Sequence, residues 1–129
     1  MAKVLIVEVH PLTANIVRAL FNGTEHTASA VLDGSAALKA LQTDVPDVVI
    51  TDVELPDING LDLMHIVRKH YGVPVIVISG SGSGNGDYCE MARQQGAVEA
   101  LLKPITLDQI RNAVDKALTL VSRDGPKSQ

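Results

Sequence analysis

The chain has 129 residues, of which 46% are hydrophobic and only 2% aromatic, and its formal charge is -4. That length suits one domain with a sizeable aliphatic core, and the acidic balance, without a basic run or aromatic platform, argues against a nucleic-acid partner. Cys89 stands alone, which excludes an intrachain disulfide and a CxxC metal site; no apolar stretch approaches about 18 residues and no charged-then-apolar leader opens the chain, so a cytoplasmic protein with no membrane partner is expected.

Lys3 to Val9 (KVLIVEV) predicts a first strand, broken by His10-Pro11, and Pro11 suits the first turn of a helix. Leu12, Ile16 and Leu20, with Val17 beside them, carry the spacing of an amphipathic helix ending near Gly23. Glu25 to Val31 is a more polar strand, suited to a sheet edge. Asp33 or Ser35 can cap a second helix with Ala37, Leu38 and Leu41 on its buried side. Val48, Val49 and Ile50 then form a β-branched run that stops at Asp52, the pattern of a strand buried on both faces. Asn59 caps a third helix with Leu61, Met64 and Val67 inward, and Gly72 ends it. Val73 to Ser79 is a fourth buried strand. The glycine-alternating stretch Gly80 to Gly86 follows, as a gate that reorders on modification or simply as a long connection. A short helix runs from about Asp87 to Gln95, stopped by Gly96. Val98 to Leu102 is a fifth strand. Thr106 and Gln109 form a capping box for a last helix with Leu107, Ile110, Val114, Ala117 and Val121 on one face. Residues 1–121 thus read as one domain and 122–129 as a short flexible tail.

Five alternations of strand and helix predict a doubly wound α/β fold, a parallel sheet with helices on both faces. Ligands of such sheets sit at the carboxyl ends of the strands. Glu8, Asp52 and Ser79 end three strands there, and Lys103 follows a fourth. Two acids, a hydroxyl and an ammonium converging on one edge suit phosphoryl transfer to a carboxylate, with Asp52 as nucleophile. Glu8 and Asp52 are hard oxygen ligands for Mg²⁺, and a backbone carbonyl near Glu54 is a third. Ser79 and Lys103 would meet the remaining phosphoryl oxygens.

On these residues the chain resembles a response-regulator receiver domain of the chemotaxis type, from about residue 3 to 121. PDVVITDVELPDINGLDL resembles the phosphoacceptor segment, with Asp52 as the phosphorylated residue; VIVISG carries the hydroxyl, Ser79; GAVEALLKPI carries Lys103, followed by a proline the family joins through a cis bond. The resemblance implies a flavodoxin-like sheet of order 2-1-3-4-5, phosphorylation by a histidine kinase or histidine phosphotransfer protein, Mg²⁺ as cofactor, and signalling to a downstream target protein rather than enzymatic turnover of a substrate.

Three features depart from the family. Val9 stands where a second acid normally ligates Mg²⁺, so weak metal binding is expected, with a longer Glu8 or the Glu54 side chain as substitutes; one unit charge pair at ~4 Å is worth roughly 4 kcal/mol at an effective dielectric of 20, before desolvation. Ala100 replaces the ring that swings inward on activation, and Tyr88 is read as a packing or surface residue rather than its substitute. The third is the Gly80 to Gly86 stretch, which lacks the Lys-Ser or Lys-Thr of a phosphate-cradling loop. The first two departures support a second reading, a phosphorylation-independent binding module. A flavin protein of similar fold is a third, disfavoured by two Tyr, one Phe and no Trp. His26, His65 and His70 lack metal-ligand spacing; His10 lies beside the site, within reach of a phosphoryl oxygen or water. Cys89 reads as a packing residue.

Overall fold

The computed structural model describes residues 2–80 and 86–124, with side chains for 2–80 and 88–120. Ten elements alternate without exception: β1 (Lys3–Val7), α1 (Pro11–Ala19), β2 (Thr27–Val31), α2 (Gly34–Thr43), β3 (Val48–Asp52), α3 (Gly60–Tyr71), β4 (Val75–Ser79), α4 (Gly86–Gln94), β5 (Glu99–Leu102) and α5 (Leu107–Asp124). All strand pairs are parallel, in the order β2-β1-β3-β4-β5. This is the doubly wound flavodoxin-like sheet expected from the sequence. β2 lies at an edge, which explains its polar, half-exposed TASAV.

Alternation along the strands builds two cores. Leu5, Val7, Val49, Val75 and Val77 face α2, α3 and α4, where Leu41, Leu63, Met64 and Val67 meet them. Val4, Ile6, Val48, Ile50, Ile76 and Ile78 face α1 and α5, where Val17, Ile110, Val114 and Ala117 close the other layer. β3 and β4 are buried at every position, as strands covered on both faces must be. Cys89 is buried in the first core and Tyr88 packs half-buried against it. Both are therefore packing residues.

The caps follow the sequence closely. Asp33 accepts from Ala36 N–H, and Asn59 accepts from Leu61 N–H. Thr106 and Gln109 exchange hydrogen bonds as a capping box. Gly72 closes α3 in the left-handed region at φ 65.

Four expectations need correction. Leu12 and Ile16 are 72% and 53% exposed; the inward face of α1 is Ala14 and Val17, continued by Phe21. The four-residue ridge of Leu12, Ile16 and Leu20 therefore marks a flank of this helix, not its floor. On α5, Leu107 is exposed and Ala113 takes its place in the stripe. The first strand stops at Val7, before Glu8, and the fourth starts at Val75, after Pro74, where the paired residues of the ladder end. Finally, α5 runs to Asp124, past the boundary expected at 121. Most of the Gly80 to Gly86 stretch and the last five residues of the expected tail lie outside the described residues.

Candidate functional site

The sheet register assembles the site. Val7 pairs with Thr51, so the next residues, Glu8 and Asp52, leave adjacent strands side by side. Asp52 pairs with Ile78, one residue before Ser79, and Ser79 pairs with Leu102, one residue before Lys103. The Lys103 N–H donates to the Ser79 carbonyl at 2.9 Å, and the Lys103–Pro104 bond is cis. Four residues distant in sequence thus meet at one rim because four parallel strands end together.

The polar groups at this rim are out of solvent. Glu8 is 0%, Asp52 4% and Ser79 2% exposed. Lys103 joins the two acids: its Nζ lies 2.6 Å from Glu8 Oε1 and 3.1 Å from Asp52 Oδ2. The contact with Asp52 is a hydrogen bond. The closer contact, with Glu8, is an ion pair, and Glu8 Oε1 has no further hydrogen-bond partner among the described residues. The other Glu8 oxygen accepts the His10 N–H at 3.0 Å, just ahead of α1, whose N-terminal dipole favours an anion. Thr51 Oγ1 donates to the Asp52 carbonyl and Ser79 Oγ to the Gly80 carbonyl, the latter a long 3.4 Å.

Two carboxylates share one ammonium. Burial raises the Asp52 pKa above the usual carboxylate range and the Glu8 charge raises it further; Lys103 opposes both without prevailing. Burial works to lower the Lys103 pKa, but the adjoining Glu8 and Asp52 carboxylates outweigh it, and the ammonium is held above 10.5. The site therefore keeps a charged lysine beside a carboxylate that carries an energetic cost for its charge.

Of the three residues expected to hold a metal, Glu8 and Asp52 meet at the site. The Glu54 side chain does not join them: it is exposed, at a backbone bridge with Asn59, and among the described residues no three acid, His or Cys side chains gather to hold a metal. Val9 is half-buried and supplies no oxygen. The donor set fits Mg²⁺ in reduced form: two hard carboxylates, both of which already face the Lys103 ammonium. The His10 side chain is exposed and has no partner in the site among the described residues.

Two contacts were not legible in the sequence. Arg93 on α4 donates to the Ala100 carbonyl on β5 at 2.8 Å and lies 3.9 Å from Glu99. Asp57, in the loop after Asp52, accepts the Gly34 and Ser35 N–H groups at 2.9 and 2.8 Å. Both join elements whose pairing depends on the fold, and no local pattern announces either.

Comparison with known proteins places this geometry. A family model described as the response regulator receiver domain matches residues 4–115. The chain is 34% identical over 104 residues to a protein-glutamate methylesterase/protein-glutamine glutaminase of Pyrococcus horikoshii, covering 79% of the chain and 28% of that protein. It is 35% identical over 102 residues to the luminescence regulatory protein LuxO of Vibrio campbellii, covering 74% of the chain and 22% of that protein. The chain thus spans less than a third of the length of these relatives. Among solved structures, the signal receiver domain of a LuxO repressor protein from Vibrio parahaemolyticus superposes with a TM-score of 0.84 at 26% identity, over 95% of this chain and 94% of that one. A receiver domain protein from Clostridium thermocellum shares the fold at a TM-score of 0.84 and 24% identity, over 93% and 96% of the two chains.

Proposed function

The chain belongs to the response regulator receiver family, and from that premise we propose that Asp52 accepts a phosphoryl group from a histidine kinase or histidine phosphotransfer protein. The observation that carries the reading is the Asp52 carboxylate itself: nearly enclosed, raised in pKa, and 3.1 Å from an ammonium. An Asp52 oxygen attacks phosphorus, the P–N bond of the donor phosphohistidine breaks, and the imidazole leaves with its proton restored from water. The product is an acyl phosphate. Lys103 neutralises charge gathering on the transferred oxygens, and Glu8 keeps that ammonium in place. Ser79, at the neighbouring strand end, supplies a hydroxyl donor to the phosphoryl group. Glu8 and Asp52 would hold Mg²⁺, which when bound supplies positive charge against the phosphoryl oxygens. The modified domain signals by changing its contacts with a downstream protein.

A second reading, a binding module that works without phosphorylation, rests on the departures at Val9 and Ala100. Ala100 is buried where the family places its switch ring, and Arg93 fastens α4 to its carbonyl.

Intact-mass measurement with acetyl phosphate, with and without Mg²⁺, separates the two. Wild type gains one phosphate, Asp52→Asn gains none, and Val9→Asp reaches half-labelling at Mg²⁺ lower by about tenfold, the equivalent of ~1.4 kcal/mol. A wild-type chain that stays unlabelled while Val9→Asp is labelled establishes the binding-module reading instead.

A further inference from the structure

We propose that Asp57 is a positioning residue: it pins the loop that leaves Asp52 to the start of α2 and so fixes the rim of the site. The functional part of this inference rests on Asp52 being the phosphoacceptor.

The loop is closed at its base and tied at its tip. At the base, the Gly60 N–H donates to the Val53 carbonyl at 2.7 Å, and Glu54 and Asn59 form a backbone bridge. Gly60 has no room for a side chain: a Cβ there would overlap the Asp52 carbonyl oxygen and lie 2.8 Å from Val53 Cα. At the tip, the two Asp57 oxygens separately take the Gly34 and Ser35 N–H groups. A Cβ on Gly34 would overlap Ile58 Cγ2, so loop and helix start also touch closely. Asp57 remains exposed, yet these backbone donors hold its carboxyl below the usual range.

The direction of restraint follows from burial. Ala37 and Leu41 anchor α2 in the core, and Asp33 already caps it through Ala36. The loop has only the half-buried Leu55 and Ile58 to hold it between its ends. A charge-assisted pair of bonds at the tip therefore restrains the loop more than the helix. Its second residue, Glu54, carries the backbone carbonyl that would be the third oxygen toward a bound Mg²⁺, so a displaced tip would weaken the hold on that ion.

The test compares Asp57→Ala, Asp57→Asn and Asp33→Ala in the full chain, by amide hydrogen exchange over residues 53–60 and by the Mg²⁺ needed for half-labelling with acetyl phosphate. Asp57→Ala speeds exchange in the loop by about tenfold and raises the Mg²⁺ requirement several-fold. Asp57→Asn, which keeps one acceptor, falls between. Asp33→Ala removes the helix cap proper and lowers the melting temperature, but leaves loop exchange and Mg²⁺ requirement near wild type. The proposal is overturned if Asp33→Ala moves both readouts as far as Asp57→Ala, or if loop exchange is unchanged in Asp57→Ala. Should wild type take no label while the exchange contrast holds, the loop restraint stands and the phosphoacceptor reading falls.

Discussion

The two ends of β1 carry two lysine ion pairs of nearly equal length and opposite consequence. At the start, Lys3 Nζ meets Asp44 at 2.7 Å with both side chains more than half exposed. At the far end, Lys103 Nζ meets Glu8 at 2.6 Å with the glutamate fully enclosed. Distance does not separate them; solvent does. Water already solvates Lys3 and Asp44 when they part, so little is lost. Glu8 is fully enclosed and has no water to fall back on, and among the described residues its close cation is Lys103. The lesson extends to function: the enclosed pair holds an ammonium beside Asp52, whereas the exposed pair ties two surface elements and positions nothing reactive.

The sharpest way to test the contrast is to remove the enclosed cation. Lys103→Met leaves two buried carboxylates facing each other, and a loss of roughly 3–5 kcal/mol in urea unfolding at neutral pH is expected. The deficit shrinks on acidification, because Asp52, whose pKa burial already raises, can then take up a proton and shed its unpaired charge. A deficit that stays constant from neutral pH down to about pH 5 would show that the residue acts by packing alone.

A smaller effect of opposite sign is expected at the acid. The folded pKa of Asp52 is raised above its unfolded value of 3.8, so the native state binds the proton more tightly. Its contribution to stability is therefore best below 3.8 and is lost as pH rises through the folded value. Asp52→Asn removes that slope, and the variant gains roughly 1 kcal/mol at neutral pH, a few degrees in Tm. A variant less stable than wild type at neutral pH means that the Lys103 bond outweighs burial and the Glu8 charge together.

The same contrast explains what the sequence revealed. Strand and helix order, the caps at Asn59 and Thr106, and the gathering of Glu8, Asp52, Ser79 and Lys103 were legible because periodicity and parallel topology determine them locally. Three features were not. The exposed Leu12 and Ile16 share their spacing with a buried ridge, and only packing against the sheet decides which flank turns inward. The separation of Glu54 from the acids depends on a loop held by backbone bridging. Asp57 finds its donors 22 and 23 residues away, at the start of another helix. Each depends on how elements meet rather than on what they are.

The smallest effect completes the comparison. Lys3→Met abolishes the ion pair with Asp44 and its attraction to Asp47, the charges that raise the Lys3 pKa. It leaves intact the Lys3 backbone N–H, which donates to Asp47 at 2.7 Å and ties the start of β1 to the segment entering β3. The fold should therefore hardly register the change. A slightly lower Tm at low ionic strength should merge with wild type at about 0.5 M NaCl, where the Debye length falls to roughly 4 Å. Lys103→Met should keep most of its deficit at the same salt, since Glu8 is fully enclosed and the Lys103 side chain only 18% exposed, so salt screens the pair weakly. If salt erased both differences equally, the far end of β1 would be as wet as the near end, and an enclosed ammonium would no longer be available to hold Asp52 ready.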